Sequence, residues 1–279
     1  MAVVDEREQR PARRHPLDPL SASEIRAATA LVREAAIGGA EPRFVAVTLS
    51  EPSKDELSGP GADVERRAEV IVYDPLDHQI HETDISLSEG VILETREVQG
   101  AHAPFLVGEW EPFVDAVKAD ARYQEALARR GITNLDLISI DPIPHGLWEG
   151  DDGAHRLCRA SSFLRSRPGG NRHARHVEGL VCVVDLDAMA VVAVDDHGIV
   201  DLPPDPGEYD ATAVGPLRDD LRPLEVEQQE GPSFSVDGWE VTWQNWRFRV
   251  GFNQREGLVL HQLGYEDAGS ERTILHRAS

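Results

Sequence analysis

The sequence predicts an α+β fold: two small tandem domains, each a helix followed by an antiparallel sheet, and then the beginning of a larger β-structure. One observation is that a helical pattern followed by four strand-like runs occurs twice in succession. A second is the proline-rich acidic stretch after the second set, which is typical of a linker. The third is the aromatic density of residues 231–279, where tryptophan and phenylalanine alternate with polar residues at strand spacing.

The first domain is expected over residues 15–105, after a lead-in of residues 1–14 that we expect to be disordered. Ser21 and Glu24 stand three positions apart, and this capping-box pattern predicts a helix that runs to about residue 37. Four strand-like runs follow, separated by turns rich in Pro, Gly and Asp. These runs are residues 43–50, 68–73, 79–87 and 90–98.

The second domain is expected over residues 106–212 and repeats this order. Residues 110–130 predict one helix, and Gly131 stands where a helix C-terminal cap is expected. The apolar face of this helix comprises Phe113, Val114, Val117, Tyr123 and Leu127. The four strand-like runs that follow are residues 135–143, 156–164, 179–185 and 191–195.

A linker is expected over residues 213–230, and the last domain over residues 231–279. Counting by twos places Trp239, Val241 and Trp243 on one face of a strand, and Trp246, Phe248, Val250 and Phe252 on one face of the next. We expect both aromatic faces to be buried. A third strand is predicted over residues 258–263. Three strands do not close a core, so we expect this segment to be the front of something larger.

Composition excludes several classes of function. The 279 residues include 50 acidic and 28 basic side chains, and the net charge of −22 disfavours binding to nucleic acid or to anionic membrane surfaces. The hydrophobic fraction of 41% is ordinary for a folded domain, and no run is long enough to cross a bilayer. Because residues 1–14 lack the apolar centre of a secretory signal, a cytoplasmic location is expected.

Two cysteines, Cys158 and Cys182, both fall in strand-like runs. In a reducing compartment they are expected to be small core residues with free thiols. A disulfide stays open as the alternative, because the two strands could be neighbours and sequence gives no distance between them.

The eleven histidines suggest a metal site only weakly. The closest pairs are His78 with His81 and His173 with His176. Neither pair has the glutamate that follows the first histidine of a helical zinc-protease motif. A polar turn is the simpler interpretation for the first pair.

Three stretches near the end of the chain carry a family resemblance: QEGPSF at residues 229–234, WQNWRFRVGFN at 243–253 and REGLVLH at 255–261. Together they resemble the opening of the catalytic domain of copper-containing primary amine oxidases. HPLDPLS at residues 15–21, followed by a helix, is similar to the entry to the second domain of the same family. The resemblance therefore runs from about residue 15 to residue 279 and covers the amino-terminal part of the family only.

The resemblance implies two cystatin-like α+β domains, an N2-like and an N3-like domain, ahead of the truncated start of a β-sandwich catalytic domain. Such enzymes oxidise a primary amine with dioxygen and water to an aldehyde, ammonia and hydrogen peroxide, and the full-length protein is expected to be a homodimer. The alternative is a naturally truncated, non-catalytic binding or interaction protein.

In this family, copper is held by a His-x-His pair and a distant third histidine, and topaquinone is made from a tyrosine that follows asparagine. This sequence contains no His-x-His pair, and none of its four tyrosines follows asparagine. The resemblance thus assigns copper and topaquinone to the complete enzyme. We expect this chain alone to bind neither and to be inactive, and we assign it no catalytic, cofactor-binding or metal residue.

The resemblance does imply a contribution to the substrate channel. In bacterial members the third domain lends residues to that channel, and the matching positions here are Trp110, Pro142, Ile143 and His173. An apolar, aromatic-lined passage would select amines with hydrophobic tails. The alternative places Trp110 in the domain core and makes Pro142 a strand terminator.

Overall fold

The computed structural model describes residues 14–57, 64–146 and 155–279 of the chain. Nearly all of the predicted lead-in, residues 1–14, lies outside the described residues. The chain forms two units: the first comprises Met1–Val98 and Val226–Ser279, and the second comprises Gln99–Glu225. The predicted α+β class with antiparallel sheets is confirmed.

The first unit opens with helix α1 and a four-stranded antiparallel sheet in the order β1-β2-β3-β4. The helices are α1, Ala22–Glu34, and the short α2, Lys54–Leu57. The strands are β1, Arg43–Ser50; β2, Arg67–Asp74; β3, Gln79–Ser86; and β4, Val91–Val98. Ala28 and Val32 of α1 pack against a buried sheet face made of Ala68, Val70, Val72 and Ile85.

The predicted capping box begins α1. Ser21 N donates to Glu24 Oε2 at 2.8 Å, and Glu24 N donates to Ser21 Oγ at 3.3 Å, which satisfies two backbone donors at the helix start. Burial raises the pKa of Glu24, but hydrogen bonds from Arg66 and Ser21 outweigh it and lower that pKa to about 2. Glu24 is therefore a charged partner for Arg66 at any ordinary pH.

Arg66, just before β2, holds the chain that leads into α1. Its guanidinium donates to Pro16 O at 3.1 Å, to Pro19 O at 3.0 Å and to Glu24 Oε2 at 3.2 Å. Because the side chain is only 10% exposed, the guanidinium depends on these acceptors in place of water.

The first unit also contains a five-stranded antiparallel sheet formed by the end of the chain. Its strands are β9, Phe234–Asp237; β10, Glu240–Trp243; β11, Trp246–Asn253; β12, Gly257–Asp267; and β13, Ser270–Ala278. Only three strands were predicted here. Strand β9 was missed because it is only four residues long and fully exposed, and β13 because its apolar and polar side chains do not alternate.

The prediction that both aromatic faces of this sheet are buried is wrong for the described residues. Trp239, Trp243 and Phe252 are 41%, 46% and 68% exposed, and Trp246 and Phe248 are half-buried. The sheet instead turns its opposite, charged face to the α+β domain, so the aromatic face stays open. Ion pairs, together with the buried Val259 and a hydrogen bond from Gln254 to Val45 O, lie on this side of the sheet in place of the aromatic face.

Two arginines make these ion pairs. Arg249 of β11 donates to Asp18 Oδ1 at 2.8 Å, and Arg277 of β13 donates to Glu51 Oε2 at 2.7 Å. His261 lies between them on β12, directly opposite both arginines in the sheet, and is 3% exposed. Its Nε2 lies 3.8 Å from Glu51 Oε1. Two arginines with a histidine between them therefore form a row across three strands that meets carboxylates of the first domain.

The second unit repeats the arrangement of helix and four-stranded antiparallel sheet, with strand order β5-β6-β7-β8. Its helices are α3, Trp110–Ala119; α4, Ala121–Arg129; and the short α5, Ala211–Val214. The strands are β5, Ile138–Pro144; β6, Leu157–Leu164; β7, Leu180–Asp185; and β8, Ala190–Asp196. The predicted helical face is confirmed, with Phe113, Val117, Tyr123 and Leu127 fully buried and Val114 packed beside them.

The prediction of one continuous helix over residues 110–130 is wrong. The backbone of Asp120 is extended, with φ −69° and ψ 122°, and this residue separates α3 from α4. Its carboxylate accepts hydrogen bonds from Arg122 N at 2.8 Å and Tyr123 N at 3.2 Å. An N-cap of this kind competes with helix continuation, so the aspartate starts a second helix.

Arg156 in the second unit corresponds to Arg66 in the first. It precedes β6 and donates to Ala103 O and Pro104 O, both at 3.0 Å, and to Glu109 Oε2 at 3.1 Å. Glu109 in turn accepts from Leu106 N at 2.8 Å, as Glu24 does from Ser21 N. The side chains of Arg156 and Glu109 are 1% and 2% exposed.

A matching turn completes the correspondence between the domains. Leu87 N donates to Arg66 O, and Leu186 N donates to Arg156 O, each at 2.9 Å. In each bond the donor lies in the turn that joins the third and fourth strands of its sheet. The two domains therefore share their main buried polar contacts as well as their strand order.

Both cysteines lie in the core of the second unit as free thiols. In the β6–β7 pairing, Cys158 is opposite Val184 and Cys182 is opposite Ala160, so the thiols are not directly paired. Burial raises the pKa of Cys158 to about 11 and that of Cys182 to about 12. The thiols are therefore protonated and unreactive at neutral pH.

None of the helices in the described residues combines the length and the hydrophobicity that crossing a bilayer requires.

The buried arginine network yields a prediction for stability. Replacing Arg156 with Leu removes the guanidinium that pairs with the buried Glu109 carboxylate, and we expect the second unit to lose about 3–5 kcal/mol. Hydrogen exchange of β6 peptides across a urea series measures this loss. Arg218→Leu is the control, because Arg218 is 70% exposed and pairs with the exposed Asp220. Equal losses in the two variants would refute the assignment.

The His261 contacts yield a pH prediction. Burial lowers the pKa of His261 below its usual 6.5, and the Glu51 carboxylate opposes this shift only in part. The folded state thus binds fewer protons than the unfolded state below about pH 6.5. The free energy of unfolding should be constant above that pH and fall as the pH drops toward the lowered pKa.

Thermal unfolding between pH 7.5 and 5.5, followed by tryptophan fluorescence, tests this dependence, because three of the five tryptophans lie in residues 239–246. The comparison is with His261→Gln, which removes the titrating group but leaves Glu51, Glu256, His276 and Arg277 in place. The variant should lose less stability on acidification than the wild type. An identical slope in the two proteins would show that His261 is not responsible.

Candidate functional site

The candidate site lies within the second unit, where three segments bring polar and aromatic side chains together. Helix α3 begins with Trp110, strand β5 carries Asp141, Pro142 and Ile143, and the loop after β6 carries Arg172 and His173. We refer to the loop, residues 165–179, as the β6–β7 loop. All four predicted channel residues thus lie on elements that share direct contacts through Asp141 and Arg172.

Asp141 joins the β6–β7 loop to the sheet. Arg172 forms an ion pair with Asp141 Oδ1, and His173 Nε2 donates to Asp141 Oδ2 at 2.8 Å. Both carboxylate oxygens are therefore engaged, one by a guanidinium and one by an imidazole. The loop cannot shift relative to β5 without breaking these contacts.

Trp110 lies at the surface of its domain. Its side chain is 39% exposed, and its ring meets the edge of Phe105 at 6.1 Å between centroids. The guanidinium of Arg172 lies over the indole face, 5.8 Å from its centroid, within the range of a cation–π contact. The alternative that places Trp110 in the core is not supported, since Phe113 and Val117 are the buried residues of α3.

Pro142 and Ile143 follow Asp141 directly on β5. Pro142 does not end the strand, contrary to the alternative prediction, because β5 continues to Pro144. Since β5 is an edge strand, its outer side needs no backbone donor and tolerates proline. Pro142 is half-buried and Ile143 is 47% exposed, which leaves apolar surface next to Asp141.

His173 and His176 lie on either side of Phe163, with ring centroids 5.3 and 4.9 Å from it. His176 Nε2 shares a hydrogen bond of 3.0 Å with Ser161 Oγ, whereas His173 bonds Asp141. The two imidazoles therefore have separate partners. In the other histidine pair, His78 Nδ1 bonds Tyr73 OH at 2.9 Å in a turn, as the polar-turn interpretation expects.

Glu208 fixes the tip of the β6–β7 loop. It accepts from Asn171 N at 3.0 Å and from Ser166 Oγ at 2.5 Å. Asn171 Nδ2 donates to Gly207 O at 2.6 Å. Because Arg172 and His173 come directly after Asn171, this contact holds the site residues in place.

Sequence reasoning proposed Trp110, Pro142, Ile143 and His173, and it did not propose Asp141, Phe163, Arg172 or Glu208. Asp141 and Arg172 each stand one position before a predicted residue, which was the available signal. Their pairing joins residues 31 positions apart in the chain, and no sequence pattern reports such a contact.

A copper site does not fit the residues that the structure describes. Among those residues, no three His, Cys, Asp or Glu side chains are placed to hold one metal ion. Asp141 with His173 supplies only two such groups, and Arg172 already neutralises the carboxylate. No oxidation step is therefore assigned to a side chain of this chain.

Three family descriptions match the chain in order. The AGAO-like N2 domain matches residues 21–95, the copper amine oxidase N3 domain matches 109–213, and the enzyme domain of copper amine oxidase matches 235–279. The candidate site falls within the N3 match.

Curated relatives agree with these matches. A primary amine oxidase of Arthrobacter sp. (strain P1) is 39% identical over 266 residues, which cover 95% of this chain and 41% of the relative. A histamine oxidase of Arthrobacter globiformis is 35% identical over 96% of this chain and 40% of its own length. The chain thus spans about 40% of the length of the curated relatives that it matches.

A solved structure, a copper-containing benzylamine oxidase from Hansenula polymorpha, shares the fold. Its TM-score is 0.79 at 22% identity, over 94% of this chain and 44% of that one.

The role of Asp141 yields a prediction for the loop. In Asp141→Asn, the charge that holds Arg172 and His173 is lost, and we expect amide exchange in residues 171–174 to accelerate roughly fivefold, which corresponds to about 1 kcal/mol for a partly exposed pair. Hydrogen exchange with mass spectrometry measures this. Asp136→Asn, at an exposed position before the same strand, is the control and should leave the loop unchanged. Unchanged exchange in Asp141→Asn would mean that Glu208 alone holds the loop.

Proposed function

We propose that the chain, which belongs to the copper amine oxidase family and matches its amino-terminal part, forms part of a primary amine oxidase. The reaction is the oxidation of a primary amine by dioxygen and water to an aldehyde, ammonia and hydrogen peroxide. When bound in a complete enzyme, copper and topaquinone would supply the redox chemistry. The residues of this chain would supply scaffold and substrate approach.

The observation that carries this proposal is the order of the three domain matches along one chain, N2, N3 and enzyme domain. Each α+β domain alone could serve many functions. The succession of both, followed by the start of an enzyme domain that is described as that of a copper amine oxidase, supports an amine oxidase. We propose the corresponding layout of residues 15–105, 106–212 and 231–279, with 213–230 as linker, in a cytoplasmic homodimer.

We assign Trp110, Pro142, Ile143 and His173 to the approach through which the amine reaches the active site. The indole of Trp110 and the exposed side chain of Ile143 offer apolar contact to a substrate tail. Asp141 holds the imidazole of His173 in one orientation. Binding of the tail by these groups would displace water and orient the amino group toward the reacting centre.

The test combines the intact mass of the protein from its native cells with a peroxide assay on primary amines. A mass more than twice 30.8 kDa together with amine-dependent peroxide supports the proposal. A mass near 30.8 kDa without peroxide would refute it and favour a non-catalytic binding protein. Chelation of copper should abolish the peroxide signal, which separates this chemistry from that of a flavin-dependent oxidase.

A further inference from the structure

Trp110 and Asp141 together form a corner suited to a cation. The face of an indole ring attracts positive charge, and a carboxylate beside it supplies the counter-charge. In this structure the cation in the corner is the chain's own Arg172, which lies over the Trp110 ring at 5.8 Å and pairs with Asp141. We call Trp110 and Asp141 the cation corner.

Contacts of the two residues that flank Arg172 hold it in the cation corner. Glu208 fixes Asn171 N at 3.0 Å, and His173 uses the second oxygen of Asp141 at 2.8 Å. Both neighbours of Arg172 are thus anchored, and the guanidinium has little freedom to leave.

The corner is accessible to a small molecule. Trp110 is 39% exposed, and the side chains of Arg172 and Asp141 are 38% and 23% exposed. Partial exposure of this kind leaves the charges screened less than on an open surface. A second positive charge that approaches the corner would meet a guanidinium in place of a free carboxylate or a free indole face.

We propose that Arg172 is a specificity-determining residue that occupies the position of a diamine's distal ammonium group. The preferred substrates are then primary monoamines with an uncharged apolar or aromatic tail, and diamines are disfavoured. An aromatic tail retains favourable contacts, because a guanidinium plane and an indole edge both pack against a neutral ring. This assignment rests on the proposed amine oxidase function and names its substrate class.

The experiment compares kcat/KM for 2-phenylethylamine and for 1,4-diaminobutane, by peroxide formation, in the protein purified from its native cells. In Arg172→Gln the corner becomes free, and the ratio of diamine to monoamine kcat/KM should rise about tenfold. Arg172→Lys keeps a cation in the corner and should stay near the wild-type ratio. If Arg172→Gln does not accumulate as folded protein, Arg172→Met carries the same test.

Two further variants separate the cation corner from a general structural effect. Arg172→Gln combined with Asp141→Asn should lose the gain for the diamine, because the counter-charge is then absent. Arg129→Gln is the matched control, since Arg129 also pairs with an aspartate of this unit, Asp196, and contacts neither Trp110 nor Asp141. It should leave the ratio unchanged.

The outcomes distinguish this proposal from the one it rests on. Peroxide formation with an unchanged ratio in Arg172→Gln would overturn the assignment of Arg172 and leave the amine oxidase function standing. Absence of peroxide from every primary amine in the wild type would overturn both.

Discussion

A buried guanidinium is the constraint on which each α+β domain depends. Arg66 and Arg156 each stand just before the second strand of a sheet, and each binds the loop that leads into the helix and a glutamate at the helix start. A buried charge is tolerated only if acceptors replace its water, so the path of the loop and the start of the helix must satisfy the arginine. The two domains meet this requirement with the same carboxylate position and with one backbone carbonyl at the same spacing, that of Pro19 in the first and of Pro104 in the second.

The buried arginine of the second unit also positions one part of the candidate site. Glu109, the buried partner of Arg156, directly precedes Trp110, so the anchored carboxylate also sets where the indole begins. Asp141 is positioned independently, by the pairing of β5 with β6. The cation corner thus forms where two separately anchored segments of one unit meet, and Arg172 connects them.

Much of the fold could be predicted from the sequence, because local patterns report local structure. The capping box of Ser21 and Glu24 and the strand periodicities lie within a few residues of the features they predict. The break at Asp120 was not predicted, because the apolar face of Phe113, Val117, Tyr123 and Leu127 continues across it. In the last sheet the alternation identified two faces correctly, but not that Arg249 and His261 would turn theirs toward the first domain. Trp110 and His173 could be proposed from a resemblance, whereas Asp141 and Arg172 depend on a long-range pairing of charges.

The contacts of Glu208 couple the segment that follows the sheet of the second unit to the β6–β7 loop. Glu208 accepts a hydrogen bond from the backbone N of Asn171, and Gly207 O accepts one from its side-chain amide. Arg172 and His173 are next in the chain. A displacement of residues 207–210 would therefore also displace Arg172, whose guanidinium lies over the Trp110 ring. Insertions and deletions in this part of the chain should be tolerated only after Asp210, beyond the last contact with the loop, which sets the point where the linker becomes free to vary in length.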